Sequence, residues 1–427
     1  MITLDVNSNY CDRGGGIRTY HQAKIAWFNR QPGHRYYLVV PGPRAAVRRV
    51  GRRVVRIEVY GLPLGSGYRL MLDYPRVGRL IRRVRPELVE VGDPFFTGWF
   101  CLLLGRLGQI RCRVSAFYHS DPIETWVVRW ANRGRLRGLK RPLAATAGRL
   151  FYRLQRAYDV TIVTSRAMQG HLAARGVTRL ERIPLGVDRT FFAEPNEAAT
   201  TAEMVPPSPD ARSLTPSPRQ PACRRMLFVG RLIADKAADL LWEALPQILR
   251  LQGVEVTVLG SGPYQRKFAA ATWPGYRYLP YVSGRQQLAE IYRQHDILLA
   301  PGPYETFGLA VLEAMASGLV VVGPDRGGTA ELLAETQSPF VFRAGDLDGF
   351  VRVVAAVAAA NLAPHRQAAL AAARRYGTWH EAIGRLMEFY EQQPAATRSL
   401  ARSSIEQEAS GQRDRSDEKE TAARRAA

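Results

Sequence analysis

Residues 297–318 read ILLAPGPYETFGLAVLEAMASG. An unbroken apolar run, Ile297–Ala300, stops at Pro301, and a second apolar segment begins near Gly308 with the look of a helix. Glu305 falls in the loop between them, and Glu313 sits inside the helix between Val311, Leu312, Ala314 and Met315. A continuous run of Leu and Ile carries no alternation to separate a wet face from a dry one. It therefore predicts a strand buried on both faces, as in a parallel sheet with helices above and below.

The same pattern extends outward. Met226–Val229, Val254–Leu259, Tyr276–Leu279, Val320–Val322 and Phe340–Phe342 read as strands. Ala237–Leu251, Tyr264–Ala271, Arg285–Gln294, Leu309–Ala316, Thr329–Ala334 and Leu347–Ala360 read as the helices between them. Nearer the start, Ile2–Val6, Tyr36–Val40, Arg53–Val59, Leu88–Val91, Val114–Tyr118 and Val160–Val163 form a second strand set. It is interleaved with helices at Ile17–Asn29, Val77–Val84, Leu150–Ala157 and Ala167–Ala174. With 427 residues the chain exceeds what one core holds, roughly 250–300 residues. Two doubly wound α/β domains are expected, 1–193 and 223–376, joined by a Pro/Ser/Thr-rich linker or insertion at 194–222. A helix follows over 377–392, amphipathic through Trp379, Ile383, Leu386, Met387 and Tyr390, and then a polar, low-complexity tail at 393–427. Linker and tail are expected to be disordered.

Composition narrows the function. Apolar residues make up 46% of the chain, which excludes a wholly disordered protein. Cys11, Cys101, Cys112 and Cys223 show no paired spacing, which argues against a disulfide scaffold or thiolate zinc site and fits a reducing cytosol. The apolar run 95–105 is half a membrane span, and the residues after Met1 lack the pattern of a signal peptide. The formal charge is +22, and residues 1–193 hold 34 of the 60 basic but only 12 of the 38 acidic side chains. The whole excess lies in the first half, so an anionic partner of that half is expected. A nucleic acid would be one such partner, but no recognition motif or aromatic platform for it is present. Segments 76–85 and 129–156 instead mix arginines with Leu, Trp and Phe, as helices at an anionic membrane surface do.

Ligands of doubly wound sheets sit where strands give way to helices. The first strand runs into Gly14-Gly15-Gly16, whose free N–H groups and helix start suit a phosphate. This is neither a Walker lysine loop nor a complete dinucleotide fingerprint. Strand Met226–Val229 ends in Gly230-Arg231-Leu232 with Lys236 beyond, two cations able to clamp a diphosphate. Gly260 and Val282 lie in loops where backbone could meet a nucleotide, and His119 closes the strand that would face the inter-domain cleft. Glu305 and Glu313 are eight residues apart, about 12 Å along a helix. A glycosidase pair spans roughly 5–9.5 Å across one bond, so separate roles, each accepting hydrogen bonds from ligand hydroxyls, are expected. Asp346-Leu-Asp348 imitates a metal motif but follows Gly345 at a helix start, where Asp346 reads as a cap. No metal or other cofactor is expected.

From Gly14–Gly16 through Tyr118-His119, Gly230-Arg231-Leu232 with Lys236, and Glu305–Glu313 to Gly327-Gly-Thr-Ala-Glu331, the chain resembles the family 4 retaining glycosyltransferases. That resemblance implies the GT-B fold, two Rossmann-like domains facing across a cleft with the last helix crossing back to the first. It implies a hexose moved from a nucleoside-diphosphate sugar, GDP-mannose or a UDP-hexose, to a glycan or lipid-linked acceptor without metal. His119, Arg231, Lys236 and Glu305 would be catalytic. Gly15, Gly16, Gly230, Gly260, Val282, Phe307, Gly308, Leu309 and Glu313 would bind the donor. A departure is Ala237, where the family usually has glycine after the lysine. The expected place is the cytoplasm, with peripheral attachment to the inner face of the membrane. Rival readings are a silent sugar-nucleotide-binding protein and a basic protein that binds nucleic acid or an anionic surface.

Overall fold

The computed structural model describes residues 1–12, 14–65, 68–93, 96–132, 137–192 and 223–393; the stretch at 194–222 and the tail from 394 lie outside the described residues. Strands are β1 (Ile2–Val6), β2 (Arg35–Gly42), β3 (Ala46–Arg49), β4 (Val54–Gly65), β5 (Tyr68–Met71), β6 (Leu88–Val91), β7 (Arg113–Phe117), β8 (Val160–Val163) and β9 (Leu180–Arg182). They join in the order β3-β4-β2-β1-β6-β7-β8-β9, parallel except that β3 and β5 run antiparallel to β4. A second sheet holds β10 (Arg224–Val229), β11 (Val254–Leu259), β12 (Tyr276–Leu279), β13 (Ile297–Leu299), β14 (Val320–Pro324) and β15 (Val341–Phe342). Its order is β12-β11-β10-β13-β14-β15, parallel throughout.

Both faces of the second sheet are covered, which is why its central strands β13 and β14 read as solid apolar runs. Met226, Phe228, Val256 and Leu299 pack beneath helices Ala238–Ile248 and Leu347–Ala359. Leu227, Leu298 and Val321 pack on the other side against Leu309–Ala316 and Leu362–Ala373. The Leu347–Ala359 helix starts at Asp346, whose Oδ1 accepts from the Gly349 amide at 2.9 Å, so this aspartate is a cap.

Helix Trp379–Gln392 crosses back to the first domain, opened by a capping box between Thr378 and Glu381. Its apolar stripe, Trp379, Ile383, Leu386, Met387 and Tyr390, packs with Tyr20, Trp27 and Phe28 of helix Gly15–Arg30 and with Leu88 of β6. The two domains thus share a core element. A buried polar cluster lies beneath it. Lys24 Nζ donates to Asp5 Oδ2 at 2.8 Å and Glu90 Oε1 at 3.0 Å; the Tyr36 hydroxyl donates to the same Asp5 oxygen and the Tyr20 and Tyr390 hydroxyls to Glu90, while Asp5 Oδ1 has no hydrogen-bond partner among the described residues.

Among the described residues, no single helix is long and apolar enough to cross a membrane. In segment 76–85 the apolar side chains Val77 and Ile81 are buried in the first core, so that helix shows solvent its arginines and not an apolar face. Segment 129–156 differs, with Trp130, Leu143 and Leu150 exposed.

Candidate active site

In the second sheet the strand order reverses between β10 and β13, and the crevice at such a reversal is where doubly wound sheets bind ligands. The loops leaving these two strands carry Arg231, Lys236 and Glu305. The sheet therefore brings together residues about 70 positions apart: Lys236 Nζ and Glu305 Oε1 form an ion pair. Lys236 lies in the 3₁₀ turn Ala234–Lys236, and the helix expected from Ala237 begins at Ala238. The reason is Ala237, at φ 52° and ψ 40°, a left-handed residue between turn and helix. Gly230 and Arg231 are held by the next loop: the Gly230 amide donates to Leu259 O at 3.1 Å and the Leu232 amide to Ser261 O at 2.9 Å. A Cβ at Gly260 would stand 1.8 Å from Gly230 O, so this glycine is required by close packing of the two loops.

Arg231 is exposed and reaches across to the first domain, where Nη1 donates to the Tyr68 hydroxyl at 3.3 Å. That hydroxyl also borders Gly14, at 3.3 Å from where its Cβ would stand. Gly14 caps helix Gly15–Arg30, and at Gly15 and Gly16 the space a side chain would occupy is open. The positive end of this helix and the two cations of the second domain thus border one opening. Arg18 Nη1 to the Tyr281 hydroxyl at 3.1 Å and Arg129 Nη1 to Asp235 Oδ1 at 3.4 Å span the same gap.

His119 follows β7 on the first domain. Its carbonyl accepts from the Thr306 hydroxyl at 2.9 Å, and Thr306 O in turn accepts from Ser165 Oγ at 2.6 Å. The loop bearing Glu305 is therefore tied to the strand end bearing His119. The imidazole stacks on Phe117 with centroids 4.5 Å apart, and its Nε2 is buried with no hydrogen-bond partner among the described residues. Burial above all, with Lys24 adding to it and Glu90 opposing, holds this imidazole down at about 4, so it is neutral at physiological pH. A buried nitrogen without a partner is costly, and here it marks a place where a ligand hydroxyl would fit.

Glu313 rides the Leu309–Ala316 helix, opened by Gly308 at φ 92°. Burial raises its carboxyl to about 7. Arg285 and the Tyr292 hydroxyl, 3.4 Å from Oε2, pull the other way without prevailing, while Asp188 pushes it further up. Arg285 is itself held by Asp188 at 2.7 Å. Burial pushes the Tyr292 hydroxyl well up, and the nearby charge of Glu313 adds to it.

Not every expected residue offers a side chain to the opening. Val282 packs with Leu279 and Leu288 on the second core, and Phe307 is buried against Tyr376 at a centroid distance of 5.7 Å. Leu309 packs against both domain cores. Of the three only Phe307 is buried and leaves only backbone to a ligand; Val282 and Leu309 stay partly exposed. Tyr68, Arg18, Tyr281, Thr306 and Ser165, which span the two domains, carry no local signal in the sequence; Tyr68 lies on β5, a strand of four residues, too short to be read. Among the described residues no cluster of three or more His, Cys, Asp or Glu could hold a metal.

Two doubly wound domains that close a cationic opening have the GT-B architecture of glycosyltransferases. The profile described as "Glycosyltransferase Family 4" matches residues 14–191, and the one described as "Glycosyl transferases group 1" matches residues 223–360. A GDP-mannose-dependent alpha-mannosyltransferase of Corynebacterium glutamicum is 24% identical over 84% of this chain and 81% of its own. A GDP-mannose-dependent alpha-(1-6)-phosphatidylinositol dimannoside mannosyltransferase of Mycobacterium tuberculosis is 28% identical over 75% and 79%. The solved sucrose-phosphate synthase of Thermosynechococcus elongatus shares the fold, with a TM-score of 0.68 at 17% identity over 92% of this chain and 99% of its own. The chain belongs to the family 4 glycosyltransferases and is a glycosyltransferase enzyme.

Proposed function

We propose that the enzyme transfers a hexose, with retention of configuration and without a metal ion, from a nucleoside-diphosphate sugar to a glycan or lipid-linked acceptor. The observation that carries this reading is the meeting of Lys236 with Glu305 at the β10/β13 crevice, opposite the unpartnered His119 Nε2. GDP-mannose is the first donor to test, because it stands in the names of the relatives above.

In this reading Arg231, Lys236 and the N–H groups at Gly15 and Gly16 hold the diphosphate, and Gly230 lines it. As the sugar C1–O bond breaks, negative charge gathers on the leaving phosphate, and preorganised cations and a helix start offset it. Lys236 is paired with Glu305, so the donor must draw the two apart, freeing the lysine for phosphate and the carboxylate for sugar hydroxyls. Glu313 accepts from the ribose hydroxyls. His119 Nε2 meets a sugar hydroxyl near the reacting carbon; being neutral, it can accept or donate one hydrogen bond without adding charge. The acceptor oxygen enters on the face the phosphate leaves, and the departing phosphate takes its proton. The exposed Trp130, Leu143 and Leu150 among the arginines of segment 129–156 support peripheral attachment to an anionic membrane.

The test is nucleoside-diphosphate release from a panel of donors, followed by determination of the product's anomeric configuration with and without chelator. Release from GDP-mannose or a UDP-hexose, an α-linked product from an α-donor, and no loss with chelator are the expected results. Arg231→Ala should lower turnover about 100-fold or more, the usual loss when a charge-stabilising donor is removed, with an unchanged melting temperature because the side chain is exposed. Release by no donor, or near-normal turnover of the variant, would overturn the assignment.

A further inference from the structure

A cavity of about 660 Å³ opens in the first domain, apart from the cleft, between the π-helical turn Ile123–Val128 and helix Arg137–Gln155. Five arginines line it: Arg141, Arg149, Arg153, Arg156 and Arg175. Its single carboxylate, Glu124, already accepts from Arg175 Nη2 at 3.0 Å. Among the described residues the other four make no ion pair. Arg141 turns to Asn132 Oδ1 at 3.3 Å, Arg149 to the Ala145 carbonyl at 3.4 Å, and Arg156 to the Arg175 carbonyl at 2.9 Å. Between them the wall is apolar, formed by Ile123, Val128, Ala144 and Tyr152. Gly148 makes room for it, since a Cβ there would already touch Ile123 at 3.5 Å.

Four guanidinium groups without counter-charge repel one another unless an anion joins them, and an apolar wall between them selects an anion with an apolar part. The volume lies within the range of roughly 300–1,000 Å³ usual for ligand pockets. Nearby, Trp126 on the π-turn is 67% and Trp130 on the short helix Arg129–Ala131 48% exposed, side chains suited to a membrane interface. The π-turn begins four residues after His119, and Arg129 beyond it contacts Asp235, the neighbour of Lys236. The cavity thus flanks the catalytic opening on the first domain.

We infer that this cavity seats the phosphate-bearing headgroup of an anionic membrane amphiphile, at one site per chain, and so holds the cleft against the membrane. The inference rests on the proposed lipid-linked acceptor, and its test is separable: donor consumption by the unsubstituted enzyme reports on that proposal alone. The probe is a short-chain phosphatidylglycerol below its micelle threshold, titrated calorimetrically into the full chain, with inorganic phosphate in a parallel titration. Vesicles of phosphatidylcholine with and without phosphatidylglycerol are used for flotation.

Saturable binding of one phosphatidylglycerol is expected, with phosphate alone binding much more weakly. The double variant Arg149→Ala/Arg153→Ala should weaken it about tenfold or more, the effect of losing charge-assisted hydrogen bonds. Gly148→Leu, which fills the cavity at constant charge, should weaken it similarly. Arg79→Ala/Arg83→Ala, the same charge change on the other basic helix, should stay within about twofold. Both arginine pairs are exposed, so these variants keep the fold even if Gly148→Leu does not, and melting temperature checks this. Equal loss in the two arginine pairs, unimpaired binding by a folded Gly148→Leu, or phosphate binding as tight as the lipid would each overturn the inference.

Discussion

Replacing Glu313 by Gln separates what the carboxylate costs the fold from what it gives the donor. In the folded protein burial lifts this carboxyl from its ordinary 4.5 to about 7. The folded state therefore binds the proton more tightly than the unfolded chain does. Stability from this group is fully present below about 4.5 and is lost as pH rises through 7. The shift of about 2.5 pH units corresponds to about 3 kcal/mol at full ionisation. Glutamine keeps the shape and an oxygen for the Tyr292 hydroxyl but never ionises, so it escapes the penalty. At about 2–4 °C per kcal/mol for a domain of this size, the melting temperature of Glu313→Gln should exceed that of the parent by roughly 6–12 °C at pH 8. The gap should close near pH 5. The same change replaces a charged acceptor by a neutral one, so donor KM should rise about tenfold at pH 8. For the parent, KM should itself rise as pH falls through 7 while that of the variant stays level. Calorimetry and donor titrations between pH 5 and 8 supply both readouts. A pH-independent difference in melting temperature, or a less stable glutamine variant at pH 8, would refute the electrostatic argument. A stabilised variant with unchanged KM would instead remove Glu313 from the donor site.

Three further substitutions test other parts of the structure. Ala237→Gly should raise stability by about 0.5–1 kcal/mol in denaturant titrations, because alanine at φ 52° carries roughly 1–2 kcal/mol of left-handed strain, partly offset by the entropy glycine loses on folding; a destabilised variant would contradict this. Lys24→Met should cost about 3–5 kcal/mol, since it leaves Asp5 and Glu90 buried without their shared cation; a loss under about 1 kcal/mol in the same titrations would show that the cluster relaxes or takes up protons freely. His119→Gln should lower turnover while leaving the shape of the pH profile between 5.5 and 8 unchanged, because an imidazole held at about 4 does not titrate there; an inflection present in the parent and lost in the variant would show a charged His119.

Much of the second domain is legible in the sequence because its central strands β10, β13 and β14 are largely buried on both faces. Val254–Leu259 and Leu309–Ala316 have the bounds that their apolar runs indicate. In the first domain β3, β5 and β9 escape such a reading. They are three or four residues long, largely without buried side chains, and owe their existence to pairing with β4 or β8. Helix Arg137–Gln155 is visible only in its last turns, since Pro142 lies inside it and a residue lacking an N–H ordinarily marks a helix end. Site residues at strand exits could be found because a doubly wound sheet puts ligands there. Tyr68, Thr306 and Ser165 could not, because their importance comes from the docking of two domains, and no local pattern encodes which hydroxyl will face which loop.

The buried Asp5–Lys24–Glu90 cluster belongs to that second kind of information, and its position suggests why the fold keeps it. Burial and the charge of Glu90 push Asp5 up to about 8; burial acts the same way on Glu90, but Lys24 and the Tyr20 and Tyr390 hydroxyls outweigh it and hold that carboxyl below its ordinary value. The two carboxylates are thus driven apart: a proton taken up by the cluster goes first to Asp5, while Glu90 keeps its pairing with Lys24. An apolar filling of the same volume could be as stable, but it would let its helices slide. Here the partners come from five elements: Asp5 from β1, Lys24 and Tyr20 from the helix that begins at Gly15, Tyr36 from β2, Glu90 from β6 and Tyr390 from the crossover helix. Each hydrogen bond fixes the register of one element against another. The helix that presents Gly15 and Gly16 to the cleft is thereby set against the helix that returns from the second domain, the domain carrying Arg231 and Lys236. A loosened cluster should displace these two sets of groups relative to each other, so that variants here depress turnover by more than their loss of stability accounts for.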